Sequence, residues 1–180
     1  MAKSLQEKLV FPQGVSGSVE YGIVKVKGPK GEVVKKLFHP IIKISVTAEG
    51  FLFVAPAQTK SVKTVLYTLV AHAKNMIVGV QSGFTYKLKV CYIHFPMTVK
   101  VTSNEVLISN FLGEKIPRKA NILAGVTVKS AGDVLTVEGI DLEKVSQTAA
   151  NIEMATRIVR RDRRRFQDGC YIMEKAGVPV

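Results

Sequence analysis

The stretch Ile44-Ser-Val-Thr-Ala-Glu-Gly50 is followed by a strand-like run and then a helix-like run. The stretch Val126-Thr-Val-Lys-Ser-Ala-Gly132 is followed by the same two runs, about 82 to 84 residues further along the chain. Self-similarity at a fixed spacing indicates that one structural unit has been duplicated. Each copy has the pattern of a small antiparallel sheet packed against one helix. The sequence therefore predicts an α+β fold of two duplicated domains, residues 1–81 and 82–180.

The first copy begins with strands and turns. Gly28-Pro-Lys-Gly31 has the composition of a turn rather than a phosphate-binding loop, because it lacks the lysine and hydroxyl spacing of such loops. Residues 47–50 resemble a hairpin connection. The predicted strands are residues 19–27, 32–38, 41–46 and 51–54.

A helix is predicted over residues 60–78, because apolar side chains recur there at spacings of three and four. Gly79 is expected to end this helix, and Gln81-Ser-Gly83 to form a hinge between the domains. The apolar stripe consists of Val62, Val65, Leu66, Leu69, Val70, Ala73, Met76 and Ile77.

The second copy repeats this order. Residues 111–123 read as a basic loop, and the strands on either side of Gly132-Asp133 are expected to pair. A second helix is predicted from Leu142 with Asp141 as its N-cap. The predicted strands are residues 86–92, 97–101, 106–108, 126–128 and 134–137. The predicted inner face of the helix is Val145, Ala149, Ile152, Thr156 and Val159.

The composition indicates a polyanionic partner. Hydrophobic content is 47%, as in ordinary globular proteins, but the net charge is +12 and the isoelectric point is about 9.8. Such a balance favours nucleic acid over a membrane surface, and no run is long and apolar enough to span a bilayer. Residues 1–8 have no signal-peptide core, so a cytoplasmic protein with free thiols at Cys91 and Cys170 is predicted.

The charge is most concentrated between residues 157 and 166. Six of the seven arginines lie there, and a guanidinium group grips a phosphate with two parallel hydrogen bonds. A solvated helix face or a disordered basic tail is the alternative interpretation. Phe166 argues against it, because that ring is expected either to pack the segment down or to stack on a base. The predicted nucleic-acid-binding residues are Arg157, Arg160, Arg161, Arg163, Arg164, Arg165, Phe166, Lys115, Arg118 and Lys119.

No catalytic or metal-binding pattern is present in the sequence. Cys91 and His94 are three apart on a predicted strand, which directs them to opposite faces, and no second cluster completes a zinc site. Asp162 and Asp168 lie among arginines, where local ion pairing is the expected role. No cofactor, metal or catalytic residue is therefore predicted. A hydrolytic enzyme acting on RNA and a DNA-binding module stay open as the two alternative functions.

Several stretches resemble the L6 family of large-subunit ribosomal proteins. Residues 24–31 resemble its first hairpin, residues 75–90 its interdomain junction and residues 137–152 its last strand and helix. Arg161-Asp-Arg-Arg-Arg-Phe-Gln-Asp-Gly-Cys-Tyr-Ile172, followed by Lys175, is similar to the C-terminal signature of the archaeal and eukaryotic branch.

This resemblance implies a structural protein of the cytoplasmic ribosome with no catalytic activity. Its expected partner is large-subunit ribosomal RNA near the sarcin–ricin loop and the factor-binding centre. Ribosomal proteins at the stalk base are expected neighbours, and translation factors are expected only nearby. Carried over by motif, Arg160, Arg161, Arg163, Arg164 and Arg165 contact RNA.

Overall fold

A computed structural model describes residues 5–47 and 49–180. The chain divides into two compact units, Met1–Gly83 and Phe84–Val180. This division lies two residues beyond the boundary predicted from the sequence. Residues 1–4, which belong to the stretch predicted to lack a signal peptide, and residue 48, within the predicted connection 47–50, lie outside the described residues.

The described part of the first unit contains two three-stranded antiparallel sheets and one helix. The elements are β1 (Leu5–Val10), β2 (Ser16–Glu20), β3 (Ile23–Gly28), β4 (Gly31–Lys36), β5 (Lys43–Thr47), β6 (Gly50–Ala55) and α1 (Lys60–Gln81). The sheet orders are β1-β6-β5 and β2-β3-β4, and the helix packs on both. Phe51, Phe53 and Leu66 are fully buried at the centre of this unit.

The second unit contains a five-stranded sheet, a three-stranded sheet and one helix. The elements are β7 (Phe84–Cys91), β8 (Thr98–Val101), β9 (Glu105–Ser109), β10 (Arg118–Asn121), β11 (Val126–Ala131), β12 (Val134–Gly139), α2 (Leu142–Ala155), β13 (Gly169–Lys175) and β14 (Val178–Pro179). A 3₁₀ turn spans Phe111–Gly113.

The strand orders confirm the predicted duplication. The order β11-β12-β7 repeats the order β5-β6-β1, and β10-β9-β8 repeats β4-β3-β2. Within the described residues, the two copies therefore share six strands and one helix in the same order. The shared strands form two sheets in each copy, whereas one sheet was predicted. The second copy differs because β13 adds to the other side of β7 and β14 pairs with β13. The arginine-rich segment is the connection that leads to this added strand.

Both helices begin where the sequence predicts. The Thr59 side chain accepts a hydrogen bond from the amide of Val62, and the Asp141 side chain accepts one from the amide of Glu143. These side chains satisfy amides that have no partner within the helix. Gly79 does not end α1 as predicted. It is buried within the helix, and the chain leaves the helix at Gly83, where φ is +74°.

The strand predictions differ from the structure in several places. Residues 19–27 form parts of two strands, because Tyr21 (φ +50°) and Gly22 (φ +79°) make a two-residue turn with left-handed backbone at both positions. The pattern also missed β1, β13 and β14. Residues 111–123 are not one loop, since β10 lies within them and pairs with β9.

The inner face of α2 is shorter than predicted. Val145, Ala149 and Ile152 are fully buried, and Thr156 is buried immediately after the helix. Val159 is 64% exposed, because α2 ends at Ala155 and the following residues no longer keep the helical spacing. The arginines therefore belong to a loop and not to a continuation of the helix.

Candidate nucleic-acid interface

Residues 157–168 form the loop between α2 and β13, which we call the arginine loop. All six of its arginines are exposed, and none makes an ion pair within 4 Å to any residue that the structure describes. The unpaired guanidinium groups leave their donors available for an external anion. The loop therefore has the chemical character of a polyanion-binding surface.

Asp162 shapes the tip of the loop. Its Oδ1 accepts a hydrogen bond from the Arg164 amide at 2.9 Å, and its carbonyl accepts from the amides of Arg165 and Phe166 at 3.1 and 3.0 Å. Asp162 thus caps a turn at Arg163–Arg165. The sequence had suggested instead that it pairs with an arginine side chain. Arg160, two residues before Asp162, has a left-handed backbone, with φ at +60°.

Arg118 fixes the beginning of the loop. Its Nη1 donates to the carbonyls of Ala155 and Arg157 at 2.9 and 3.0 Å, while its Nε and Nη2 donate to the Glu114 carboxylate at 2.8 and 2.6 Å. The guanidinium carbon also lies 4.2 Å from the centre of the Phe111 ring. The hydrogen bonds from Arg118 hold the pKa of Glu114 below its ordinary value. We call Glu114 and Arg118 the clamp.

Arg118 was predicted to bind RNA. In the structure its guanidinium group donates hydrogen bonds to protein groups of its own unit. Glu114 was missed altogether. No local pattern relates residues 114 and 118 to carbonyls 37 and 39 residues away from Arg118, so the sequence carries no signal for this contact.

Asp168 fixes the end of the loop. It is 1% exposed, and its carboxylate accepts hydrogen bonds from the amides of Ile93 and His94 at 2.6 and 3.3 Å. The His94 ring lies 3.1 Å from the same carboxylate. The predicted pairing of Asp168 with an arginine is therefore wrong. Beside it, the Thr156 hydroxyl accepts a hydrogen bond from the Cys170 amide at 2.9 Å. This bond connects the residues on the two sides of the loop.

The pKa of Asp168 reflects two opposing effects. Burial raises the pKa of the carboxyl, but the hydrogen bonds from Ile93 and His94 outweigh burial and hold it below its ordinary value. Burial raises the pKa of the neighbouring Cys170 thiol to about 12, so this cysteine is uncharged and unreactive. The end of the loop is thus built around one buried charge and one neutral thiol.

Phe166 packs the loop against the second unit. Its ring stacks on the His94 ring with centroids 4.9 Å apart, and the guanidinium carbon of Arg161 lies 4.9 Å from its centre. Phe166 also contacts the buried apolar cluster of this unit. The structure therefore supports the packing role among the two expected for Phe166. Arg161 is held over the ring by a cation–π contact.

Lys115 and Lys119 are the remaining residues predicted to bind RNA. Lys115 is exposed in the stretch before β10, and Lys119 within β10 is exposed but lies 3.4 Å from the Glu105 carboxylate. Such an exposed pair contributes little to stability and separates readily. Both lysines remain available to an anion, although neither is fixed as firmly as the arginine loop.

Positive charge is distributed differently in the two units. Residues 1–83 contain eleven lysines, four acidic residues and no arginine, for a net charge of +7. Residues 84–180 contain eight lysines, seven arginines and ten acidic residues, for a net charge of +5. The first unit is the more positive, but the lysines that the structure describes there are spread over strands, a turn and the helix. What distinguishes the second unit is the concentration of guanidinium groups.

The described residues contain no cluster of three or more metal-ligating side chains. Cys91 ends β7 and His94 lies beyond it, where His94 is engaged by Asp168. Within the described chain, no helix is long and apolar enough to cross a membrane.

Comparison with known proteins identifies the relatives of this chain. The model of the family described as Ribosomal protein L6 matches residues 11–83 and again residues 95–169, once in each unit. The chain is 45% identical to the large ribosomal subunit protein uL6 of Methanospirillum hungatei, over 96% of this chain and 98% of that protein. It is 47% identical to the uL6 of Aeropyrum pernix, over 97% and 98% of the two chains.

The carboxylate of Asp168 is expected to make stability depend on pH in acid. Because its folded-state pKa is depressed, its contribution is present above the unfolded-state pKa and is lost as the pH falls through the folded-state pKa. Asp168→Asn should therefore be less stable than the wild type at neutral pH. The difference should shrink below about pH 4. Urea unfolding between pH 7 and pH 2 measures it.

Asp133→Asn is the matched control, because Asp133 is exposed in the turn between β11 and β12. This variant should follow the wild-type curve throughout. A difference between Asp168→Asn and the wild type that stays constant from pH 7 to pH 2 would contradict the assignment.

Proposed function

This chain belongs to the ribosomal protein L6 family, and from that membership we propose that its arginine loop binds large-subunit ribosomal RNA near the sarcin–ricin loop and the factor-binding centre. The family is one of structural ribosomal proteins and not of enzymes. The chain is accordingly a structural component of the large subunit in the cytoplasmic ribosome, with ribosomal RNA and ribosomal proteins as its partners.

One observation carries the proposal: six exposed guanidinium groups lie on a single loop whose two ends are fixed. A flexible basic tail loses conformational entropy when it binds, whereas a loop that is already ordered loses less. Because RNA double helices offer side chains mainly phosphates, 2′-hydroxyls and shape, exposed guanidinium forks on a loop with fixed ends suit this partner. The phosphate contacts would position the protein on the RNA.

Within this proposal the predicted residues take two roles. Arg157, Arg160, Arg163, Arg164 and Arg165 contact phosphates, and Arg161 does so from its place over Phe166. Lys115 and Lys119 add charge beside the loop. Arg118 positions the loop instead of contacting RNA, because its donors are already used within the clamp. The stalk-base proteins would be neighbours, and translation factors would pass nearby.

Replacing Arg163, Arg164 and Arg165 by alanine should flatten the salt dependence of RNA binding. About six phosphate contacts give a slope of log affinity against log salt of roughly −4 to −5, and each lost contact removes about 0.7 to 0.9. The variant should therefore show a slope of roughly −2 to −3. Filter binding to large-subunit ribosomal RNA of the same organism, from 50 to 300 mM salt, measures both slopes.

A variant with Lys60, Lys63 and Lys74 replaced by alanine is the matched control. It loses the same three charges from the exposed side of α1. Its slope should stay close to that of the wild type. Equal losses in the two variants would show that net charge, and not the arginine loop, governs binding.

Glu114→Gln gives a test in which charge and geometry oppose each other. Removing a carboxylate makes the protein more positive, so charge alone predicts tighter RNA binding. Loss of the clamp releases Arg118 and loosens the loop, which should weaken binding by about two- to tenfold without changing the salt slope. Glu138→Gln, which changes the same charge on β12 where Glu138 pairs with Lys129, should not weaken binding. Tighter binding by Glu114→Gln would contradict the clamp.

The position on the ribosome is tested by crosslinking. Ultraviolet crosslinking of assembled large subunits should attach the peptide from Arg157 to Lys175 to nucleotides of the sarcin–ricin loop or its immediate surroundings. Mass spectrometry of the crosslinked peptide and sequencing of the attached RNA identify both partners. Crosslinks confined to a distant part of the large-subunit RNA would overturn this placement.

A further inference from the structure

A cleft opens beside the arginine loop, between the end of α2 and β13. Its volume is about 300 Å³, at the small end of the range for ligand-binding pockets. Such a volume suits a single flat ring better than a helix or a strand of another protein. The cleft is lined by Glu153, Met154, Arg157, Ile158, Arg163 and Tyr171, together with Thr156.

The residues of the cleft have three kinds of chemistry. Met154 and Ile158 supply apolar surface, and Tyr171 supplies an aromatic ring. Arg157 and Arg163 bring exposed guanidinium groups to the same cleft. This combination of aromatic surface with flanking positive charge is how proteins hold single nucleotides, whose bases stack while their phosphates are neutralised.

The Tyr171 ring packs close to the chain at Gly169. Gly169 has no side chain where a Cβ atom would lie 3.3 Å from the Tyr171 ring, so the ring rests against the backbone there. Burial raises the pKa of the Tyr171 hydroxyl above its ordinary value, although the charge of Arg163 acts in the opposite direction. A ring that is already positioned loses little entropy on stacking.

Glu153 helps to decide which part of a nucleotide enters the cleft. Its carboxylate would repel a phosphate but accepts hydrogen bonds from the amino groups of bases. The arginines attract phosphates to the exposed side. The interior therefore favours a base and the rim favours the backbone.

We propose that this cleft binds one unpaired base of the ribosomal RNA, stacked on Tyr171 with its flanking phosphates held by Arg157 and Arg163. This rests on the proposed function, because it takes the RNA already bound by the arginine loop as its ligand. Sequence-specific recognition of RNA commonly uses unstacked bases from loops and bulges. The cleft would thus fix the register of the protein on an RNA whose phosphates alone do not distinguish neighbouring positions.

Tyr171→Leu keeps an apolar side chain and removes the ring. Stacking of one base contributes an affinity factor of about five- to 140-fold, as converted from measured stacking energies. Filter binding should show a loss of at least about fivefold with the salt slope unchanged, since no phosphate contact is removed. An affinity equal to that of the wild type would overturn the proposal.

Two further variants test whether a loss of affinity comes from the cleft itself, and not from a folding defect or from the loss of any exposed tyrosine. Met154→Trp changes a side chain that is 60% exposed and fills the cleft without touching the buried core. It should cause a similar loss with the same slope. Tyr171 also borders another cleft on β7, which Met154 does not line. If Met154→Trp bound RNA with the affinity of the wild type, the proposed site would therefore be excluded. Tyr21→Leu, which removes a fully exposed tyrosine of the first unit, should bind like the wild type.

The base itself is tested by removing it from the RNA. Once crosslinking to Tyr171 identifies the nucleotide, an abasic residue at that position should weaken binding of the wild type and have little further effect on Tyr171→Leu. Additive losses would show that the ring and the base do not interact, and would overturn the cleft assignment. In that case the flattened slope of the Arg163, Arg164 and Arg165 variant would still support the arginine loop, so the two proposals fail separately.

Discussion

Mutual repulsion among six arginines is the constraint that the second unit has to overcome. Two unit charges 4 Å apart in water repel each other by about 1 kcal/mol, and the repulsion grows where solvent is excluded. The loop keeps its shape because both ends are fixed by groups that do not neutralise the exposed arginines. At one end Arg118 uses its donors on Glu114 and on two backbone carbonyls. At the other end Asp168 is buried beneath His94 and two amides.

This arrangement explains why acidic residues close to the loop do not cancel its charge. Asp162 directs its carboxylate at a backbone amide, Asp168 is buried, and Glu114 is paired with an arginine outside the loop. The Asp162 and Asp168 carboxylates accept hydrogen bonds from backbone amides, and the Glu114 carboxylate accepts from the Arg118 side chain, which in turn donates to two backbone carbonyls. The loop backbone is thereby held in place while its guanidinium groups stay exposed and make no ion pair within the described residues.

The two units share a duplicated framework, and an addition to the second copy carries the arginine loop. The two copies share strand order and helix position, yet only the second extends past its helix to a further strand on β7. The connection to that strand has to cross from α2 to the sheet, and this is where the arginines lie. The same fold therefore carries a dispersed lysine charge in one copy and a concentrated arginine charge in the other.

The parts of this structure that the sequence predicted are those determined by neighbouring residues. Asp141 caps α2, and Gly28 and Gly31 close a two-residue turn, because the relevant preferences lie within a few positions. The turn at Tyr21 escaped notice, since tyrosine is not a usual residue for left-handed backbone. The clamp and the role of Asp168 could not be found, because Asp168 meets Ile93 across 75 residues of sequence.

In the proposed complex with RNA, charge and shape would have separate roles in recognition by the second unit. Phosphates repeat along every RNA strand, so a guanidinium contact that fits one position fits the next nearly as well. A loop of arginines alone would give affinity with little register. Its fixed ends would limit the directions from which a strand can approach, and in the proposed complex an unpaired base would fill the cleft beside Tyr171. Because the cleft shares Arg157 and Arg163 with the arginine loop, one docking geometry would have to satisfy both, and that requirement would convert general attraction into a defined position.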